Sequence, residues 1–362
     1  NALPLKGLDE TPWVVLPAAR QRIKLAVEQQ GVSLEKWQIA IYRGILTGYN
    51  EAFYISTAQR EAFIVEDPRC AELIVPLLRG RNVDRYVTQW EAAEDEQWMI
   101  NSHNGIKELG IPPVKLETEY PVLWNHIVAH EKKLVVRLDK GDHWSNLRNC
   151  AYIRDFQKPK IVYPNMTKYL PFYLDTTEHF FINDKAFILT TETESLAYLT
   201  AALNSTVFRC CFMDNFPNLG EDRRELRKIF MDKIPIKKPT TQHAAMFEAL
   251  VPMVQAAKAE SQKSGNPELQ SVASFLEEVI DACVMEVYFA DHMAEQRLGV
   301  MAHVTPLLQD FDAAAPPAQQ VAAAQQFYAQ ANDSKHPIRN ILIRIPVDSP
   351  DLLAVIQREG AV

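Results

Sequence analysis

The chain has 362 residues, 47% of them hydrophobic and 23% charged, with a formal net charge of −8 at pH 7. That length holds two or three structural units around a sizeable core. No stretch nears the roughly 18–20 unbroken apolar residues of a membrane span, and we expect no secretory signal. The five cysteines, Cys70, Cys150, Cys210, Cys211 and Cys283, follow neither a framework nor a CxxC spacing. That usage fits a reducing, cytoplasmic setting. A first residue of Asn1 rather than methionine leads us to expect a piece of a longer protein.

In chain order, residues 17–30 (PAARQRIKLAVEQQ) predict a helix with Pro17 near its start. Residues 37–56 predict two strands joined by a turn region at Gly44 and Gly48. Residues 67–78 (DPRCAELIVPLL) have helical spacing, with Pro76 disturbing the end. A short helix is expected over 121–134, strands over 158–164 and 185–191, and a helix over 194–212 with Leu196, Leu199, Leu203 and Val207 on one face. The segment GEDRRELRKIFMDKIPIKKP places Arg223, Arg224, Arg227 and Lys228 on a short helix, a solvated face or a basic patch.

Beyond residue 239 the texture changes to long helices over 242–260 and 267–296. Asn266 and Pro267 suit the N-cap and first turn of the second. Leu269, Val272, Leu276, Val279, Cys283 and Val287 form an apolar seam along it. Residues 313–326 are alanine-rich, either linker or helix, and 338–347 (IRNILIRIPV) reads as a late strand. There is no repeat of fixed period.

Charge is unevenly spread. Residues 239–362 carry 7 Lys/Arg and 15 Asp/Glu, leaving 31 of each among residues 1–238. Residues 137–168 carry seven basic side chains against three acidic ones. The acidity therefore belongs to the C-terminal third, and an anion-binding surface upstream stays open.

Several chemistries are missing. The twelve glycines include no GxG, so neither a phosphate loop nor a dinucleotide fingerprint can be written. There is no GxSxG elbow, and the lone Asn-Pro pair, Asn266-Pro267, precedes Glu268. His126 and His130 share a helix face but lack the His-Glu-x-x-His order and a third ligand. Asp139, Asp142 and His143 crowd a turn before Trp144, more simply a polar turn than an acid–base pair. Cys210-Cys211 is simplest as core packing.

Five blocks carry a resemblance: IYRGILTGYNEAFYIS, LIVPLLRGRNVDRY, GDHWSNLRNCAYIRDFQKPKIVYP, FINDKAFILTTET with LAYLTAALNS, and LRKIFMDKIPI. In that order they resemble the TaqI-like C-terminal specificity domain. This is the target-recognition domain of large N6-adenine DNA methyltransferases, including fused type IIG restriction–modification enzymes and the methyltransferase of phage-exclusion systems. The resemblance spans about residues 37–240, and LEEVIDACVMEVYF (276–289) is similar to the helix that follows the domain in the family.

The resemblance implies an α+β chain: a mixed α/β target-recognition domain over 37–240 followed by a C-terminal helical segment over 241–302. Residues 1–36 would be a connecting segment. The tail 303–362, with its late strand, has no family counterpart. The implied partners are double-stranded DNA and a methyltransferase domain of the same polypeptide, with no membrane. S-adenosylmethionine would belong to that other domain, so this chain is expected to hold no cofactor, no metal and no catalytic residue.

Its DNA-binding residues are expected among Arg43, Thr47 and Asn50 of RGILTGYN, Arg79, Arg81 and Arg85 of RGRNVDRY, and Arg148, Lys158 and Lys160. Arginine forks and lysines address phosphates, while Asn and Arg also read base edges. The same residues can do duller work. The arginines can tie their loop to Asp84 or Glu72, and Thr47 and Asn50 can close their own turn. Two rival functions are a protein-docking module using the 267–296 seam and a hydrolase built on the histidines.

Overall fold

The computed structural model describes residues 16–91, 97–138 and 140–360. The two strands foreseen at 158–164 and 185–191 form its middle. Lys160–Pro164 pairs antiparallel with Ala186–Thr191, in register Val162↔Ile188. Tyr173–Asp175 flanks the first strand and Ile39–Arg43 the second, making a four-stranded antiparallel sheet. Ile161, Tyr163, Phe187 and Leu189 face one core, while Val162, Ala186 and Ile188 face another. A sheet buried on both faces needs apolar residues at every position, which is why KIVYP and AFILTT show no alternation.

Behind the second core lies another four-stranded sheet, ordered Phe181–Ile182, Ile74–Leu78, Trp98–Ile100, Tyr54–Ile55. This corrects two expectations. The strands within 37–56 are not a hairpin, because Ile39–Arg43 belongs to the central sheet and Tyr54–Ile55 to the other, with a helical turn at Asn50–Phe53 between them. Residues 67–78 are not a helix but a 3-10 turn, Pro68–Glu72, and a strand, Ile74–Leu78. Pro76 is tolerated because the neighbouring strand Phe181–Ile182 begins its pairing only at Leu77.

The helices expected at 121–134 and 194–212 are each broken in two, at Ala129–His130 and at Ser205. Ser205 ends one helix and caps the next, its hydroxyl accepting from Phe208 N at 3.1 Å. The basic segment at 223–228 is not one short helix. Gly220, Glu221 and Asp222 take successive left-handed φ values of 92°, 52° and 60°, turning the chain into a hairpin. Its returning strand, Arg224–Glu225, pairs with Met166–Thr167, and a short helix, Lys228–Met231, follows.

The late strand at 338–347 is instead a helix, Pro337–Asp348. Ile338, Ile341 and Ile345 are buried at three- and four-residue steps, while Ile343 and Val347 are exposed. His336 caps it, its ring nitrogen accepting from Ile338 N at 3.3 Å. The alanine-rich stretch is likewise a helix, Pro317–Ala331.

The C-terminal helices Thr241–Ser264 and Pro267–Tyr288 pack on each other, joined at Gly265 in the left-handed region (φ 66°). Asn266 Oδ1 accepts from Glu268 N at 2.9 Å, with Pro267 at the first helical position. All six seam residues are buried. All but Leu269 lie in one core that runs from Ile23 to Ile356 without a break at residues 240 or 302. The docking rival thus loses its surface, because this chain already covers it. The N-terminal segment joins the same body: Ala18–Gln30 packs on Thr206–Phe212, and Val32–Ser33 pairs with Pro235–Ile236. No single helix among the described residues is long and apolar enough to cross a membrane.

One buried ion pair fixes how the two sheets connect. Lys160 and Asp175 are fully buried and 2.7 Å apart. Asp175 also accepts from the backbone N–H of Glu178, His179 and Phe180, and Lys160 Nζ donates to Phe156 O at 2.7 Å. Burial pulls the Lys160 pKa down and Asp175 opposes this. Lys160→Met leaves the carboxylate inside without its cation. We expect a loss of about 3–5 kcal/mol in urea unfolding. A loss below about 1 kcal/mol would show that the pair is not the fastening described here.

Candidate nucleic-acid interface

Three of the sequence blocks meet at the turn Asn183–Asp184–Lys185, between the two sheets. Gly44 N donates to Ala186 O and Ile45 N to Ile182 O, so the chain leaves the central sheet here and joins the other. A Cβ on Gly44 would lie 2.0 Å from Asn183 O, and one on Gly80 would lie 2.5 Å from Lys185 O. Only glycine permits either approach. Gly80 N donates to Asn183 Oδ1 at 3.3 Å. The glycines therefore hold backbone against backbone, and the side chains beside them are turned to the rim.

Those side chains are mostly cationic. Arg43 is exposed; its Nε donates to Asp184 O at 2.9 Å and its guanidinium lies 3.4 Å from the Asp184 carboxylate. Lys185 is exposed and 3.2 Å from the same carboxylate. Arg81 is exposed beside Gly80. Arg79 is half-buried, near enough to the Tyr54 phenol to oppose the rise that burial and Asp184 give its pKa. Alongside, Tyr42 and Tyr152 stack with ring centroids 4.4 Å apart and planes 6° from parallel. Burial pushes the Tyr152 phenol up, while Arg148 and Arg43 pull it down, so Arg148 borders the same surface. Arg43 and Lys185 thus share Asp184, Arg79 and Arg81 flank Gly80, and Arg148 lies near the aromatic pair. Such a surface can neutralise phosphates and stack or pack against bases.

The other expected site residues lie elsewhere. Lys160 is buried in its ion pair and presents no group to a ligand. Lys158 stands at the far end of its strand, 3.1 Å from both Asp155 and Glu192. Thr47 is 1% exposed and closes its own turn. Its hydroxyl donates to Asn50 Oδ1 at 2.6 Å and accepts from Tyr49 N at 3.2 Å, while Asn50 itself is exposed. Below that turn Arg137 is buried; its guanidinium donates to the carbonyls of Thr47, Leu134, Trp144 and Asn146, and desolvation lowers its pKa.

Arg85 points away from the rim. It donates to Asn204 O at 2.9 Å and pairs with Glu277 at 3.1 Å, tying its loop to the C-terminal helices. Lys258 also pairs with Glu277 and donates to Arg85 O at 2.9 Å. Beneath them Asp281 is half-buried, accepting from Thr206 N at 3.0 Å. Burial pushes its pKa up to about 6 against the pull of Arg85 and Arg209, and burial brings Arg209 down to about 10.

Neither rival catalytic group is assembled. His126 Nε2 lies 3.1 Å from Ala52 O, and its ring sits edge-on to His130 at 5.3 Å. Among the described residues no cluster of three or more His, Cys, Asp or Glu is placed to hold a metal. His143 bonds Ser145 Oγ at 2.8 Å, Trp144 beside it is only half-buried, and Asp139 lies outside the described residues. Cys210 and Cys211 are buried in the helical core.

Lys185, Tyr42 and Tyr152 are absent from the expected set. All three fall within the resembling blocks, but only pairing across the sheet shows that they share one surface.

Residues 75–236 match the sequence profile of the TaqI-like C-terminal specificity domain. No curated protein matches the chain. Among solved structures, it is similar to the type IIG restriction endonuclease BpuSI, at 12% identity and a TM-score of 0.44, covering 75% of this chain and 33% of that one. It is also similar to the type IIL restriction–modification enzyme MmeI, solved in complex with DNA, at 11% identity and a TM-score of 0.43, covering 82% of this chain and 36% of that one. The chain thus spans about a third of each enzyme, and both likenesses are too loose to place a residue.

The half-buried Asp281 carboxyl gives a signed pH effect. With its folded pKa above the usual carboxylate value, Asp281 takes up a proton on folding. Its contribution is fully present below about pH 4 and is lost as pH rises through about 6. Asp281→Asn should therefore gain stability relative to the parent chain as pH rises from 4 to 6. Paired thermal melts across that window check this; a difference that shrinks with pH contradicts the assignment.

Proposed function

We propose that this chain, a TaqI-like specificity domain over residues 75–236 with a helical buttress, is the DNA-reading part of an N6-adenine DNA methyltransferase or fused restriction–modification enzyme. The observation that supports it best is the convergence of three family blocks on one rim, where the glycines pack backbone on backbone and the arginines stay outside. The ligand is double-stranded DNA. In this proposal the methyltransferase domain lies in the same polypeptide, in the cytoplasm, and belongs to a restriction or phage-defence system.

Methyl transfer is assigned to that other domain, which would hold S-adenosylmethionine. The residues here do not fit the cofactor. The buried glycines Gly44 and Gly80, where a cradle would need open space, abut the chain's own Asn183 and Lys185 backbone. Residues of this chain orient DNA and carry no chemical step.

The rim has a division of labour. Arg43 at a strand end, Arg81 in a 3-10 turn and Lys185 in the Asn183 turn suit phosphates, which fix register and orientation. Arg148, exposed on a loop, suits base edges, where sequence is read.

Two outcomes follow. Arg43→Ala and Arg81→Ala should each weaken all duplexes alike and flatten the dependence of log K on log salt by about one unit. If affinity and salt slope stay unchanged in folded variants, the rim is not the DNA surface. The purified chain should transfer no methyl group from labelled S-adenosylmethionine to DNA under any duplex sequence. Stoichiometric transfer that copurifies with the chain through successive columns would overturn the division between the domains.

A further inference from the structure

Of the remaining surface features, the small ribbon beyond the rim is the one the observations carry furthest. Asn165 N donates to Lys185 O, and Leu226 N donates to Asn165 O, both at 2.8 Å, so the ribbon grows directly from the rim turn. Met166–Thr167 pairs with Arg224–Glu225, and Arg224 in turn bridges Asn218, giving three short chain segments side by side. Residues 165–169 and 216–233 carry six cations and four carboxylates in a chain whose net charge is −8.

We propose that this ribbon is a second phosphate-contacting element, lengthening the stretch of duplex that the chain holds; the inference rests on the DNA-reading function proposed above. Four exposed cations carry it: Lys168, Arg223, Arg227 and Lys228. Three of these pair with near neighbours in sequence, Arg223 with Glu221 at 3.2 Å, Arg227 with Glu225 at 2.7 Å and Lys228 with Asp232 at 2.6 Å. The Arg223–Glu221 pair is exposed on both sides and contributes little to stability, so a phosphate replaces that carboxylate at small cost. Glu225 is buried, so at Arg227 a phosphate joins the exposed guanidinium alongside the carboxylate. Arg224 differs. It is half-buried on Asp214 at 3.1 Å and serves the fold.

The platform is rigid where it needs to be. The left-handed run at Gly220, Glu221 and Asp222 fixes the hairpin tip, and Arg209 donates to the carbonyl of Tyr169 from within the core. Tyr169 itself is 55% exposed, an aromatic face beside Lys168 with room for a sugar or base.

The test uses the full chain and a fluorescent 40-base-pair duplex of mixed sequence, with anisotropy titrations over a salt series. The double variant Lys168→Ala, Arg227→Ala should flatten the slope of log K against log salt by about two units and weaken every duplex alike. If the double alanine variant does not fold, as judged by circular dichroism, Lys168→Gln with Arg227→Gln replaces it. Wild-type affinity and slope in the folded double variant, while Arg81→Ala still weakens binding, overturns the ribbon and leaves the proposed function standing; the patch then faces a protein. No binding by the unaltered chain at low salt removes both.

Discussion

The buried contact between Lys160 and Asp175 sets the path of the chain from one sheet to the other. One carboxylate holds a lysine of the neighbouring strand and three successive backbone N–H groups. Those N–H groups begin the segment that leaves the central sheet at Asp175 and enters the other at Phe181. The Asn183 turn follows at once, so the place where Gly44 and Gly80 meet is decided upstream by this pair. A buried ion pair adds little net stability over an apolar replacement, but it admits few alternative geometries. Here its effect is to choose one crossing among several that apolar packing alone would allow.

The two ends of the central sheet have different characters as a result. At the Thr191 end, Lys158 answers Asp155 and Glu192, and the surface is balanced. At the Asn183 end, Arg43 and Lys185 share the single carboxylate of Asp184, and Arg81 stands nearby. The acidity of the chain sits in helices behind the opposite face of the sheet, where Glu277 and Asp281 are occupied with Arg85, Lys258 and Arg209. Net charge therefore misleads about this protein, because its negative groups are spent partly inside and partly on the buttress.

Much of the α+β fold was legible in the sequence. Long apolar runs marked the central strands, and the Asn266-Pro267 pair marked the start of a helix to the residue. Errors came where tertiary context outweighs local pattern. Ile74–Leu78 carries helical spacing because its buried residues, Ile74, Leu77 and Leu78, fall three and four apart, and no alternation marks it as a strand. The segment at 338–347 showed the converse, where alternating isoleucines hid a three- and four-residue burial pattern. The rim was half legible. Arg43, Arg81 and Arg148 stood out by charge and block, and all three are exposed in the structure. Lys160 was misplaced because a buried lysine and a surface lysine look alike until the partner Asp175, fifteen residues on, is seen across the strand pair. Thr47 and Arg85 were misplaced for the same reason, since their partners are a turn residue and a distant helix.

The shared core has a consequence for biosynthesis. Helix Leu353–Gly360 packs on Thr206–Phe212, and Gly360 approaches Thr206 so closely that a Cβ would lie 2.6 Å from its carbonyl oxygen. Thr206 belongs to the layer that covers one face of the central sheet. During translation that layer waits, incompletely covered, for about 150 further residues to leave the ribosome, several seconds to tens of seconds at ordinary elongation rates. The central sheet is thus made early and finished late, and a nascent chain halted near residue 240 would offer chaperones an open apolar face.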